Sequence, residues 1–255
     1  MPHVERTNLG NRFRRYFRID AARDDALRDL VYLIRHQVYC EQLRFEPERP
    51  SRRESDEYDT HSLHCLMRTV GPTPGLVGCT RLVLTDPDTP DAPLPFERTC
   101  AQVLDRSIID PARLPRRRIA EVSRLAVCAR YRRRKGETRE EGAVHGEDFR
   151  PREHARFPYI PVGLYMAAVS LALHTGIDTL FMLAEPRLVR HFARLGVNIR
   201  QIGGPVEHRG RRVPCMMDVP GVIQNIRRSM RPLWREVDAE IVRSLGSRKA
   251  NGLRQ

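Results

Sequence analysis

The stretch IAEVSRLAV, residues 119–127, alternates like a buried strand yet admits Glu121, Ser123 and Arg124. A strand carries polar groups into a core where something there needs them, because an unanswered polar group is costly to bury. Glu121 and Arg124 stand three apart, which on a flat strand sends them to opposite faces. Two readings are open. A β-bulge beside them would bring both to one cleft; the plainer alternative is an edge strand with a solvated ion pair.

Working outward, HSLHCLMRTV (61–70) and GLVGCTRLVLT (75–85) read as two further strands, joined across a G-P-T-P-G turn as an antiparallel hairpin. Upstream, FRRYFRI (13–19) reads as a first strand with Phe13, Phe17 and Ile19 on one side. Asp20 then stands as the N-cap of a helix running from Ala22 to about Leu43, on which Leu27, Leu30, Val31, Ile34 and Val38 recur at helical spacing. Between helix and hairpin, FEPERPSRRESDEYDT is polar and broken by proline, the composition of a surface loop. Downstream of the opening stretch, residues 132–157 are charged and aperiodic and read as a mobile insert. Order resumes with the helix VGLYMAAVSLALHTGI, the strand DTLFMLAE and the helix PRLVRHFARLG, with Pro186 in its first turn and Gly196 at its end. Two strands, VNIRQIG and RRVPCMMDV, flank a turn-rich GGPVEHRGR, and residues 221–255 form a helical extension broken near Pro232. This order gives a single α/β (α+β) domain over residues 1–255, with a mixed central sheet covered by helices.

Composition limits the function classes. The 255 residues include six cysteines with no C-x-x-C, which argues against a zinc site or a disulfide framework. No apolar run reaches the length of a membrane span, and the charged first twenty residues do not read as a signal peptide, so a cytoplasmic location is expected. The formal charge is +13, and 43 of the 45 basic residues are arginine. Such a charge favours an anionic partner. The basic residues fall in short clusters without a helix-turn-helix, RNA-recognition or zinc-finger pattern, so nucleic acid is not expected; a non-catalytic nucleic-acid- or membrane-binding module is the competing class. His61 and His64 stand three apart on a strand, which directs them to opposite faces, so no metal site is expected.

Arg35 with Tyr39 and Phe45, Asp56 with Asp59, Arg81, and Glu121 with Ser123 and Arg124 spell R-x-x-x-Y, D-x-x-D, G-x-x-R-L and E-x-S-R in order. This series resembles the autoinducer-synthase type of the GNAT acyltransferase superfamily, which includes acyl-homoserine-lactone synthases and N-acyl amino acid synthases. More narrowly, IRHQVYCEQLRFEPE, DEYDTHSLHCLMRTV, AEVSRLAVCARYRRRKGE and GGPVEHRGRRVPCMMDV look like the PEP-CTERM/exosortase system-associated acyltransferases.

The resemblance implies a GNAT fold, its mixed sheet splayed between the fourth and fifth strands and covered by helices on both faces, with the pantetheine arm of an acyl thioester entering the splay. It implies acyl transfer from an acyl carrier protein or CoA thioester to the amine of an amino acid or related small amine, with no tightly bound cofactor. Glu121 becomes the general base and Arg124 its catalytic companion. Arg35, Tyr39, Phe45, Asp56, Asp59, Arg81 and Ser123 shape the acceptor pocket. YRRRKGE, with Arg132, Arg133, Arg134, Lys135 and Gly136, stands where the family binds the donor's pyrophosphate. The alternative within the family is a lactone synthase using S-adenosylmethionine. Tyr39 stands where those enzymes have phenylalanine and Phe45 where they have tryptophan, which places N-acyl amino acid synthesis first. An equally open alternative for Arg35, Asp56, Asp59 and Arg124 is that they only pin the first helix and its loop to the sheet.

Overall fold

A computed structural model describes residues 8–132 and 159–246. The insert predicted at 132–157 therefore falls, beyond Arg132, outside the described residues.

Asn8 caps a short helix, α1 (Leu9–Tyr16), by accepting from the backbone N–H of Asn11 at 3.0 Å. Strand β1 (Phe17–Ala21) starts only after it. Phe13 thus lies on a helix, not on the predicted strand: Phe13 and Phe17 are four apart, a spacing that suits one helical face as well as one strand side. The cap of α2 (Asp25–Arg35) is Asp24, which accepts from Leu27 N at 2.8 Å. Asp20, the predicted cap, lies inside β1 and pairs with Arg68 at 2.6 Å instead. Val31, Ile34 and Val38 are buried against Leu66, Cys79 and Ala126, each contributing roughly 1.5–3 kcal/mol by burial. From His36 to Gln42 the helix widens to a π-helix, the kind of irregularity that recurs at functional sites.

Strands β2 (Ser62–Thr69), β3 (Leu76–Leu84) and β4 (Ile119–Val127) continue an antiparallel sheet from β1. The chain then crosses through α4 (Ile160–His174), which is buried around nearly its whole girth, to β5 (Thr179–Ala184), parallel to β4. Helix α5 (Pro186–Arg194) and the two-residue strands β6 (Arg200–Gln201) and β7 (Val206–Glu207) lead to β8 (Arg211–Asp218), antiparallel to β5. The sheet order is β1-β2-β3-β4-β5-β8-β6, with β7 paired to β8.

One feature of register sets the architecture. β4 and β5 pair at Ile119–Thr179, Ala120–Leu180 and Glu121–Phe181 and no further. Beyond Glu121 the two strands part, so residues 122–127 keep β3 on one side and have no strand partner on the other among the described residues. This is the predicted splay of a GNAT fold. One face of the sheet packs on α4, α1 and α7 (Arg231–Gly246). The other carries α2 and the short α3 (Pro95–Thr99), each over its own apolar cluster. The tail runs through α6 (Val219–Asn225) into α7, whose Pro232 sits in the first turn, so the predicted break precedes it. All six cysteines are free and buried.

Candidate active site

Glu121 is the last β4 residue with a β5 partner and so stands at the apex of the splay. The anticipated bulge follows at once: the β3–β4 register slips between Cys79 and Arg81, and Arg124 takes a left-handed φ of 51°. One extra residue there reverses the alternation, so that Ala126 and Cys128 pack beneath α2 while Val122 and Val127 face α4. Arg124 is thereby turned to the α2 face, where its guanidinium lies 5.6 Å from the Tyr39 ring. The bulged strand is central, paired with β3 and β5, so the edge-strand alternative does not hold.

Three arginines meet three carboxylates between α2, the loop after it and the sheet. Arg35, 0% exposed at the end of α2, donates from Nε to Glu54 and from Nη1 to Asp59 at 2.7 Å. Arg81 on β3 donates from Nη1 to Asp56 at 2.5 Å and Asp59 at 2.9 Å, and from Nε to the Ser123 hydroxyl at 3.1 Å. Arg124 donates from Nη2 to Glu54 at 3.0 Å and Asp56 at 2.9 Å. The D-x-x-D pair has a local reason as well. Asp59 accepts from Asp56 N at 2.8 Å and Asp56 from Tyr58 N at 3.1 Å, which closes a capping box on the 3-10 helix Glu57–His61. His61 ends that helix and so is not on the strand predicted for it.

Burial would push the acids up, yet Arg35, with Arg81 or Arg124 beside it, holds Asp59 and Glu54 below the ordinary carboxylate range. Glu54, 1% exposed, escaped the sequence reading although it lies two residues before Asp56. Its signal was the packing of acids in ESDEYD, which resembled any solvated loop. His64, buried beside Tyr32, is pushed down to about 4 by burial, so it is neutral near pH 7.

Glu121 differs from these acids. Among the described residues it forms no ion pair within 4 Å; it accepts one hydrogen bond, from Phe96 N at the start of α3, at 2.7 Å. Burial, at 4% exposure, lifts its carboxyl to about 7, against the Phe96 bond and the more distant Arg81 and Arg124, which favour ionisation. A carboxyl poised there can take a proton at neutral pH.

Of the other predicted residues, Tyr39 donates its hydroxyl to the Leu125 carbonyl at 3.0 Å, tying the π-helix to β4 beside the bulge. Phe45 is exposed at the rim of the loop and is not drawn into the cluster. Arg132 donates to Gln42, at the end of that π-helix. Arg133, Arg134, Lys135 and Gly136 lie outside the described residues. No group of histidine, cysteine and acidic side chains suited to a metal occurs among the described residues.

Residues 34–139 match a family described as an acetyltransferase (GNAT) domain. No curated protein matches the chain. Among solved structures, TofI, in a ternary complex with an inhibitor and MTA, covers 85% of this chain and 95% of its own at 22% identity and a TM-score of 0.55. BjaI, a CoA-dependent acyl-homoserine lactone synthase solved with MTA, covers 87% and 89% at 19% identity and a TM-score of 0.56. FeeM, an N-acyl amino acid synthase from uncultured soil microbes, covers 82% and 94% at 15% identity and a TM-score of 0.52. At these identities the likeness is one of fold.

Proposed function

We propose that the protein, whose residues 34–139 match an acetyltransferase (GNAT) domain family, moves an acyl group from a CoA or carrier-protein thioester to the amine of an amino acid or related small amine. The observation that carries this reading is Glu121: a buried carboxyl at the apex of the splay, lifted to about 7, with no cation paired to it among the described residues. The acceptor arrives as an ammonium ion and must lose a proton before it can attack. Glu121 takes that proton, directly or through a water, as nitrogen attacks the thioester carbonyl. Carbon–sulfur bond cleavage then expels the thiolate, which takes the second proton that the nitrogen sheds on becoming an amide and leaves as the thiol. The open β4 edge at residues 122–127 is where an extended donor arm would lie, its backbone groups free of a β5 partner.

Arg35, Arg81, Glu54 and Asp59 hold one another too tightly to serve as acid or base, and their part is to fix the walls of the acceptor pocket. The BjaI structure solved with SAM and isopentyl-CoA keeps lactone synthesis as the second reading. The link to exosortase systems rests on sequence resemblance alone.

The test is mass spectrometry of organic extracts from cells expressing the wild type or Glu121→Gln at equal soluble levels. A long-chain N-acyl amino acid in the wild type alone is the expected result. An acyl lactone would move the assignment to the second reading. Purified protein that transfers no acyl group from either donor to any amine of a broad panel would defeat both.

A further inference from the structure

The turn between β7 and β8 overhangs the wide end of the splay. β8 pairs with β5 out to Ala184–Val213, so the residues just before it stand where β5 has already parted from β4. Across the gap stands Glu46, four residues past the π-helix that Tyr39 ties to Leu125 of β4. Arg209, at the tip of the β7–β8 turn, donates from Nη2 to Glu46 Oε1, and that same oxygen is 3.7 Å from Arg124 Nη2. One carboxylate oxygen therefore sits between two guanidiniums, one from each wall.

The turn is built to aim Arg209. Its φ is 52°, in the left-handed region that non-glycine residues occupy at a cost, and Gly210 follows at 93°. Arg212 secures the tip by donating to the carbonyls of His208 at 3.4 Å and Arg209 at 3.2 Å while resting on Glu185 at 3.1 Å. Glu46, by contrast, is loosely held. Glu54 is gripped by two arginines, and Asp56 and Asp59 also accept backbone N–H groups of their own turn. The Glu46 side chain is 19% exposed, as open as Asp56 at 18%, but where Asp56 accepts from Arg81, Arg124 and Tyr58 N, Arg209 is the sole hydrogen-bond donor to Glu46 among the described residues.

Charge completes the case. Arg35, Arg81, Arg124 and Arg209 balance Glu46, Glu54, Asp56 and Asp59, so lifting Glu46 away leaves one unmatched cation that a monocarboxylate would restore. Resting on the amino-acid-acceptor reading above, we propose that Arg124 and Arg209 form the seat for the acceptor's carboxylate, and that Glu46 fills this seat as an internal carboxylate until the acceptor displaces it. The seat is three residues beyond Glu121 on the same strand, which places the α-amine on the Glu121 side. Arg209 is then the residue that selects amino acids over their uncharged analogues.

The test uses purified full-length wild type, Arg209→Gln and Glu46→Gln, each checked for folding by thermal melting. Binding of the twenty amino acids and of their amides is read by saturation-transfer NMR, and acyl transfer is read with dodecanoyl-CoA and dodecanoyl carrier protein as donors. Arg209→Gln is expected to weaken amino acid binding, and to raise KM, about tenfold or more, with kcat and all amide values unchanged. Glu46→Gln is expected to strengthen amino acid binding severalfold. Equal effects on acids and amides, no effect of Arg209→Gln, weaker acid binding in Glu46→Gln, or no acid bound by either wild type or Glu46→Gln would each overturn the seat. Carboxylate binding that follows the two variants without any acyl transfer would uphold the seat and defeat the acyltransfer reading. Acyl transfer indifferent to the carboxylate would do the reverse.

Discussion

Among the described residues Glu121 accepts a single hydrogen bond where the neighbouring acids are all answered by arginine, and that difference has two measurable consequences. The first is catalytic. With its carboxyl lifted to about 7, kcat/KM should rise with pH and level off above about 7. Glu121→Gln should lower it about 10²- to 10⁴-fold and remove that limb, while the fold remains intact by circular dichroism. The second is stability. Glu121, whose ordinary value is 4.5, stabilises the fold fully below about 4.5 and loses that contribution as pH rises through about 7. His64 acts in the opposite sense: lowered from 6.5 to about 4, it contributes fully above about 6.5 and loses that as pH falls through about 4. Each difference amounts to about 3 kcal/mol over its whole window, and the two nearly cancel between pH 5 and 7.5 in the wild type. Glu121→Gln should therefore become less stable on acidification across that range by about 2–3 kcal/mol relative to wild type, read from urea midpoints. Parallel pH dependences in the two proteins would mean that Glu121 is ionised in the fold.

At the scale of an element, β4 was the most legible part of the chain. The odd spacing of Glu121 and Arg124 demanded a bulge if both served one cleft, and the left-handed φ of Arg124 supplies it. The helix from residue 25 was equally plain because its apolar positions keep one period. Where two periods agreed, as for Phe13 and Phe17, the sequence did not discriminate, and the Asn8 cap decided for helix. Glu54, Glu46 and Arg209 were illegible for another reason: they sit on loops with no period, and their contacts join residues up to 163 apart in sequence. Glu54 in particular bears on how α2 is held. It is 1% exposed and answers both Arg35 and Arg124. Glu54→Gln should cost about 1–3 kcal/mol, because it removes one of the charges that answer the fully buried Arg35 and leaves that guanidinium to Asp59. Arg124→Gln should cost less, since Arg35 would keep both Glu54 and Asp59. If urea midpoints show the two variants equal, Arg35 is not the residue that depends on Glu54.

For the whole molecule, the splay opens the sheet in its middle, so the outer strand β1 must be protected by other means. An edge strand presents unpaired N–H groups that invite association. Here α7 takes them up: Ile19 N donates to Glu240 at 2.8 Å and Ala21 N to Ser244 at 2.9 Å, while Leu233, Val237 and Ile241 bury one helical stripe in the core. Arg18 of the same strand closes on Glu240, which is 3% exposed, and Arg243 one turn further along α7 stands 3.5 Å from the same carboxylate oxygen. The helical tail was readable in the sequence, but nothing there marked Glu240 as the residue it would bury. The double variant Glu240→Ala/Ser244→Ala should thus do more than weaken a helix contact. It leaves two N–H groups without acceptors, a loss of about 2–4 kcal/mol by urea midpoint. Exposing the β1 edge should also produce concentration-dependent association, visible by light scattering. Glu240→Gln, which keeps an oxygen for Ile19 N, should recover part of the stability and most of the solubility. If the double variant stays monomeric and loses less than about 1 kcal/mol, the edge is guarded by apolar packing alone and the side-chain acceptors of α7 are incidental.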